Sequence, residues 1–171
     1  MRDGLSWSRV AHEKAAEIAV DTGVRLPVVA AVIAALSPRS KWARNLVDAE
    51  NMCRAYRAGF DPRSVSVGTF HRNKDRAAEI LEADDPDLLR GPKVRAFSLC
   101  IADPQCKAVV IDSHAYNALR GGRLINGGKG PRIHEARFVR DADVKVEMEE
   151  DQGVLTQQAQ AVVWLVWKRV H

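Results

Sequence analysis

From Ser6 to Asp21 the apolar residues Trp7, Val10, Ala11, Ala15, Ile18 and Ala19 recur at helical spacing, with charges on the opposite face. That pattern predicts an amphipathic helix, which Ser6 or Ser8 can cap and Gly23 ends. Leu26-Pro27 opens a second helix, Val28 to Leu36, whose positions are apolar nearly all round. A helix without a polar face belongs at the centre of a fold. Ser37-Pro38-Arg39-Ser40 breaks it, and Lys41 to Ala58 reads as a third helix. Its inward face is expected to be Trp42, Leu46, Ala49, Met52, Cys53 and Tyr56, with Arg44, Asp48 and Arg54 on other faces. Gly59-Phe60-Asp61-Pro62 is a turn, and Ser64 to Gly68 is irregular. Asn73 to Leu81 makes a short helix with Ala77, Ala78, Ile80 and Leu81 inward.

A brief helix begins at Asp84-Asp85-Pro86 and turns at Gly91. A second runs from Pro92 to Ala102, because Pro presets φ and lacks an N–H where a helix starts. Beyond it, Ala108 to Ile111 is an apolar run too short for a helix, and Ser113 to Leu119 makes another helical segment. Gly-rich basic sequence follows from 121 to 131. Ile133 to Met148 fits helix or strand, with helix favoured, and Gln157 to Val170 is a final helix that buries Ala161, Val162, Trp164, Leu165 and Trp167. The expected fold is all-α, one helical domain over residues 1–171 with a hairpin-helix core at 85–120.

Composition narrows the class. At 171 residues with 46% apolar content, the chain can bury a core of its own, and no apolar run approaches the roughly 20 residues that span a bilayer. No membrane partner is expected. The amino terminus lacks the apolar core of a secretory signal. Cys53, Cys100 and Cys106 stand at irregular spacing, as reduced thiols in a cytoplasmic protein do. The five histidines form no HxxxH or HExxH pair, so neither a metal site nor any other cofactor is expected. The Gly-rich loop lacks the GxxxxGK[ST] order, which argues against a nucleotide triphosphate site.

Net charge is +4, permissive for nucleic acid without requiring it. Its distribution says more. Arg39 to Arg76 holds nine Lys or Arg against four Asp or Glu, and Arg120 to Arg140 holds six against Glu135 alone, whereas Glu79 to Asp87 and Asp141 to Asp151 are acidic. Two basic segments converging beside the hairpin would hold a phosphate backbone.

The chemistry-bearing pattern is Gly91-Pro92-Lys93, a helix, an apolar stretch, then Ile111-Asp112-Ser113-His114, with Lys93 and Asp112 separated by 19 positions. On these residues the chain resembles the helix-hairpin-helix (HhH-GPD) DNA glycosylase superfamily, that of endonuclease III and the 8-oxoguanine glycosylases. Val28 to Ser37 resembles that family's early apolar helix, and Gln158 to Trp164 its late buried one. The resemblance implies a DNA partner, Lys93 as nucleophile, Asp112 as electrostatic and general-base residue, and His114 as an accessory group near Asp112. It also directs Arg39, Lys41, Arg44, Arg90, Gly91, Arg95, Arg123 and Lys129 toward DNA phosphates. Trp42 can stack on a base, although its helical spacing equally fits the core. The four-cysteine pattern of the iron–sulfur cluster in some glycosylases is missing.

Cleaving an N-glycosidic bond builds positive charge on the sugar, which a carboxylate near C1′ stabilises while deprotonating the incoming nucleophile. An amine attacking C1′ instead gives a Schiff base and strand-cleaving lyase chemistry. Two departures from the family pattern stand out. Pro38 to Trp42 occupies the place where a Gln or Asn usually follows the early helix, and Leu89 stands where the hairpin's first glycine would be. A non-glycine there disfavours positive φ, so an altered hairpin is expected. Alternatives therefore stay open: a non-catalytic DNA- or partner-binding module on the same scaffold, or a base-modification enzyme of the kind some relatives supply for phage DNA hypermodification, acting in the host cytoplasm. An unrelated helical protein that mimics the motif is the third.

Overall fold

The computed structural model describes residues 7–106 together with residues 108 and 110. The chain divides into two units, and nearly all of these residues belong to Ser8–Cys106. The described residues are all-helical, with no strand among them: α1 (Trp7–Thr22), α2 (Leu26–Leu36), α3 (Trp42–Arg57), α4 (His71–Ala83) and α5 (Pro92–Ala102), plus 3-10 turns at Pro62–Ser64 and Pro86–Leu88. The helices expected beyond residue 110, and the stretch containing Asp112, lie outside the described residues, as do residues 111–120 of the expected hairpin-helix core.

α2 is the centre. Every residue from Val28 to Leu36 is buried. Pro27 near its start favours helix, and its alanines let neighbours approach closely. Helices α3, α4 and α5 all pack on it, as does the 3-10 turn at Pro86–Leu88. Removing each large aliphatic side chain from water contributes about 1.5–3 kcal/mol. No helix among the described residues is long and apolar enough to cross a membrane by itself; α1 and α2 meet that test only as a pair bent by 116°.

The helix ends follow their local sequence. Gly23, at φ +69, closes α1 by donating its N–H to the Ala19 carbonyl at 2.8 Å. Gly59 ends α3 in a Schellman arrangement: its N–H reaches the Tyr56 carbonyl at 3.0 Å, and that of Phe60 reaches Ala55 at 2.9 Å. α4 ends in the same way with Asp84, not glycine, at φ +50. Asp tolerates the left-handed region better than most residues. α1 is tied to α5 by His12, whose Nδ1 donates to the Ile101 carbonyl at 3.0 Å.

One expectation is corrected. Asp48 was expected on an outer face of the third helix, yet it is buried, as is Asn45 one turn earlier. Both serve backbone that no helix satisfies. At the end of α2 the Ser37 N–H turns to Ala34, which frees the Ile33 carbonyl to accept from Asn45 Nδ2 at 3.0 Å. Asp48 accepts from the Gly68 N–H at 2.7 Å and from Arg44 Nε at 2.6 Å. This carboxylate, with 2% of its side chain exposed, therefore fixes the 66–70 loop to α3.

The first hairpin helix is a single 3-10 turn, begun by Asp85, whose carboxylate accepts from the Asp87 N–H at 2.9 Å. Leu89 follows at φ −63, buried in the core. At the position where the resemblance expects a glycine, the chain therefore carries an apolar anchor in extended backbone. Cys53 is packing: burial, aided by the Glu50 charge, pushes its thiol up to about 12, so it is no thiolate at neutral pH.

Two stability outcomes follow, each measurable by urea unfolding followed by circular dichroism. Asp48→Ala strands the Gly68 N–H and should cost about 1.5–3 kcal/mol, and Arg44→Ala, which leaves the buried Asp48 carboxylate without its cation, should cost a comparable amount. Leu89→Ala should cost about 2–5 kcal/mol. Small losses at both Asp48 and Arg44 would contradict the anchoring role given to the carboxylate.

Candidate nucleic-acid interface

Lys93 sits in the first turn of α5, exposed, directly after Gly91 and Pro92. Gly91 is the helix N-cap, with φ +96 and ψ +129. A Cβ there would meet nothing closer than Val94 Cγ2 at 3.6 Å. The backbone angle, not crowding, is what asks for glycine. No side chain caps this terminus, so its dipole and amides face whatever approaches. Arg90 and Lys93 carry no ion pair among the described residues. Arg95 has a loose one, 3.4 Å to an Asp87 side chain that is itself exposed, which is worth little in water.

The second cationic group is the turn between α2 and α3. Ser40 N–H closes it onto the Ser37 carbonyl at 3.1 Å, with Pro38 in second place and Arg39 in third, at φ +62. A third position with positive φ after proline is ordinarily a glycine's. Arg39, Lys41 and Arg44 are all exposed, and Arg44 leans back onto Asp48. Trp42 is half-buried, edge-on to Phe97 of α5 at a centroid distance of 6.4 Å and an interplanar angle of 73°. Lys93 and Phe97 are four residues apart on α5, hence on one face of it. The Trp42–Phe97 contact therefore joins the start of α3 to the Lys93 side of α5.

The structure thus places Arg39, Lys41, Trp42, Arg44, Arg90, Gly91, Lys93 and Arg95 in the turns before α3 and α5 and the first turns of those helices, which an aromatic pair links. Asp112, His114, Arg123 and Lys129 lie outside the described residues. Among those described, no group of three His, Cys, Asp or Glu side chains is arranged to hold a metal ion.

Two residues that the sequence pattern left unmarked join this surface. Phe70, the N-cap of α4, is 43% exposed, and the guanidinium carbons of Arg39 and Arg72 each lie 5.5 Å from its ring centroid. The 66–70 loop reaches the turn through Thr69, whose Oγ1 donates to the Pro38 carbonyl at 2.8 Å and accepts from Asn73 Nδ2 at 2.9 Å. The alternation Phe70-His71-Arg72-Asn73-Lys74 was the available signal, a ring interleaved with cations.

No curated protein and no solved structure matches the chain. A family model described as a family of unknown function, DUF7178, matches residues 1–171. The chain belongs to that family.

Proposed function

We propose that the chain acts on DNA as a helix-hairpin-helix glycosylase-type enzyme, cleaving an N-glycosidic bond with Lys93 and Asp112. What supports this reading is the setting of Lys93: an exposed amine in the uncapped first turn of α5, behind a glycine at φ +96, on the helix face that the Trp42–Phe97 contact joins to the Arg39–Lys41 turn. Phosphates are drawn to such a terminus and to such cations. In the proposed reaction the Lys93 nitrogen bonds to C1′ as the C1′–base bond breaks, and the departing base takes a proton. Opening of the sugar ring, with O4′ protonated, leaves a Schiff base. Asp112 stabilises the positive charge that develops on the sugar and accepts the amine proton. Without the lysine step, the same carboxylate would deprotonate a water molecule.

A non-catalytic DNA-binding module is the second reading, and Leu89 is the observation that favours it. With φ −63 and its side chain in the core, it replaces an amide-presenting glycine turn by a hydrophobic anchor. A base-modification enzyme, leaving the glycosidic bond intact, would use the same carboxylate.

Incubation of the full chain with duplexes bearing damaged, mismatched or abasic sites, in the presence of borohydride, separates these readings. The lyase reading expects a reduced protein–DNA adduct that Lys93→Gln abolishes, and its absence on every substrate removes lysine catalysis. Asp112→Asn should slow base release by about 10²–10⁴-fold while DNA binding persists. A binding module would show no base release, and would lose affinity when Arg39, Lys41 and Arg44 are neutralised together.

A further inference from the structure

Around Phe70 three local choices run against stability, and they coincide in space. The residue before α4 is one where Ser, Thr, Asp or Asn would cap the helix, yet it is a phenylalanine that makes no capping bond. Arg39 holds φ +62, a conformation that L side chains other than Asn and Asp seldom adopt. Two guanidinium groups, those of Arg39 and Arg72, are drawn to one ring in water. Neither has a carboxylate partner among the described residues, a condition they share with Arg57 and Arg90, whereas Arg9, Arg25, Arg44, Arg54, Arg63, Arg76 and Arg95 each have one. Two like charges on a single aromatic ring repel each other until an anion arrives.

The arrangement is also built in advance. Asp48 fixes the Gly68 amide, and Thr69 fixes the Pro38 carbonyl, so the loop that carries Phe70 and the turn that carries Arg39 are pinned together independently of the ring. Such groups cluster where a ligand, not the fold, sets the requirement.

We infer that Arg39, Phe70 and Arg72 form a stacking platform for an unpaired nucleobase, its flanking phosphates taken by the two guanidinium groups. A base seated on the ring displaces one guanidinium, which turns to the adjacent phosphate and gains a charge partner. Aromatic rings among cations bind single strands in this way, because every base has a π-face and every linkage a charge. A closed duplex offers the charge without the face, and an acidic peptide likewise leaves the ring idle. The inference rests on the nucleic-acid reading above for the nature of the ligand, not on Lys93, Asp112 or any cleavage step.

Fluorescence anisotropy of the full chain with a short oligothymidylate, the matching oligouridylate and a duplex of equal length tests it. Both single strands should bind more tightly than the duplex, and whichever is preferred identifies the strand as DNA or RNA. Phe70→Ala should weaken single-strand binding by about 5- to 150-fold, the loss of one stacked base, with the helical circular dichroism of the chain retained, since Phe70 supplies no cap bond. Phe70→Trp, a larger stacking surface, should bind at least as tightly as the parent. Arg39→Asn and Arg72→Gln should each lower the slope of log affinity against log salt by about 0.7, one phosphate on a single strand. Unchanged binding by Phe70→Ala, failure of the parent chain to bind single strands, or equal displacement by polyglutamate would overturn the platform. Base release that persists in Phe70→Ala with unaltered binding would sink the platform and leave the glycosylase reading standing. Phe70-dependent binding without any base release would do the reverse.

Discussion

An eleven-residue helix with no polar face cannot rest against water, and the described unit is the solution to that constraint. Because α2 presents apolar surface in every direction, it needs partners on every side, and α3, α4, α5 and the Pro86–Leu88 turn supply them. The small residues Ala30, Ala31, Ala34 and Ala35 leave room for those partners, while Val28, Val29, Val32, Ile33 and Leu36 fill the space between. Consequences for the surface follow directly. The chain must leave α2 through a tight turn, and that turn carries Arg39 and Lys41. It must return along α5, whose first turn carries Lys93.

The C-terminal end of α2 is buried with the rest of Val28–Leu36, and two polar side chains of α3 become part of the core beside it. Asn45 takes the Ile33 carbonyl that the tightened last turn of α2 releases. Asp48 takes the Gly68 amide, twenty residues away. Hydrogen bonds to a charged group are stronger than neutral ones, and losing a buried partner costs more than forming the bond contributes. The same carboxylate that stabilises the unit thereby sets the position of the loop next to the basic turn. Stability and the geometry of the surface meet in one residue.

Periodicity located the first four helices, through an apolar stripe or, in α2, an apolar surface all round, and the proline at its start located the fifth. Pro27 and Pro92 marked starts and Gly23 and Gly59 marked ends, since those residues act through their own backbone. Asp48 was placed outward for an equally local reason: it falls off the apolar stripe of α3, and only the arrival of Gly68 from elsewhere in the chain makes it a core group. Phe70 was passed over on the same grounds, for an aromatic in a polar stretch gives no period. Lys93 was legible because Gly91 and Pro92 fix a helix start by sequence alone. Its proposed partner Asp112 had no such local marker beyond a short apolar run before it, and its pairing with Lys93 depends on how distant parts of the chain meet.

The two non-glycine residues at positive φ, Arg39 and Asp84, show how strain can be read. Asp84 sits where a helix commonly ends in the left-handed region, its N–H and that of Asp85 satisfy the last carbonyls of α4, and its carboxylate accepts from Arg25 Nε at 2.7 Å. Its side chain type tolerates the angle and its surroundings use it. Arg39 has neither advantage. Its long side chain does not ease the angle, its charge has no carboxylate among the described residues, and its chief contact is a ring already shared with Arg72. A residue kept there for stability alone would be glycine or asparagine, which adopt that conformation at less cost. What arginine adds at this position is a charge held beside an aromatic face at a turn that two hydrogen bonds already hold in place. In the platform proposed above, that charge is what meets a ligand bringing its own negative charge to the surface.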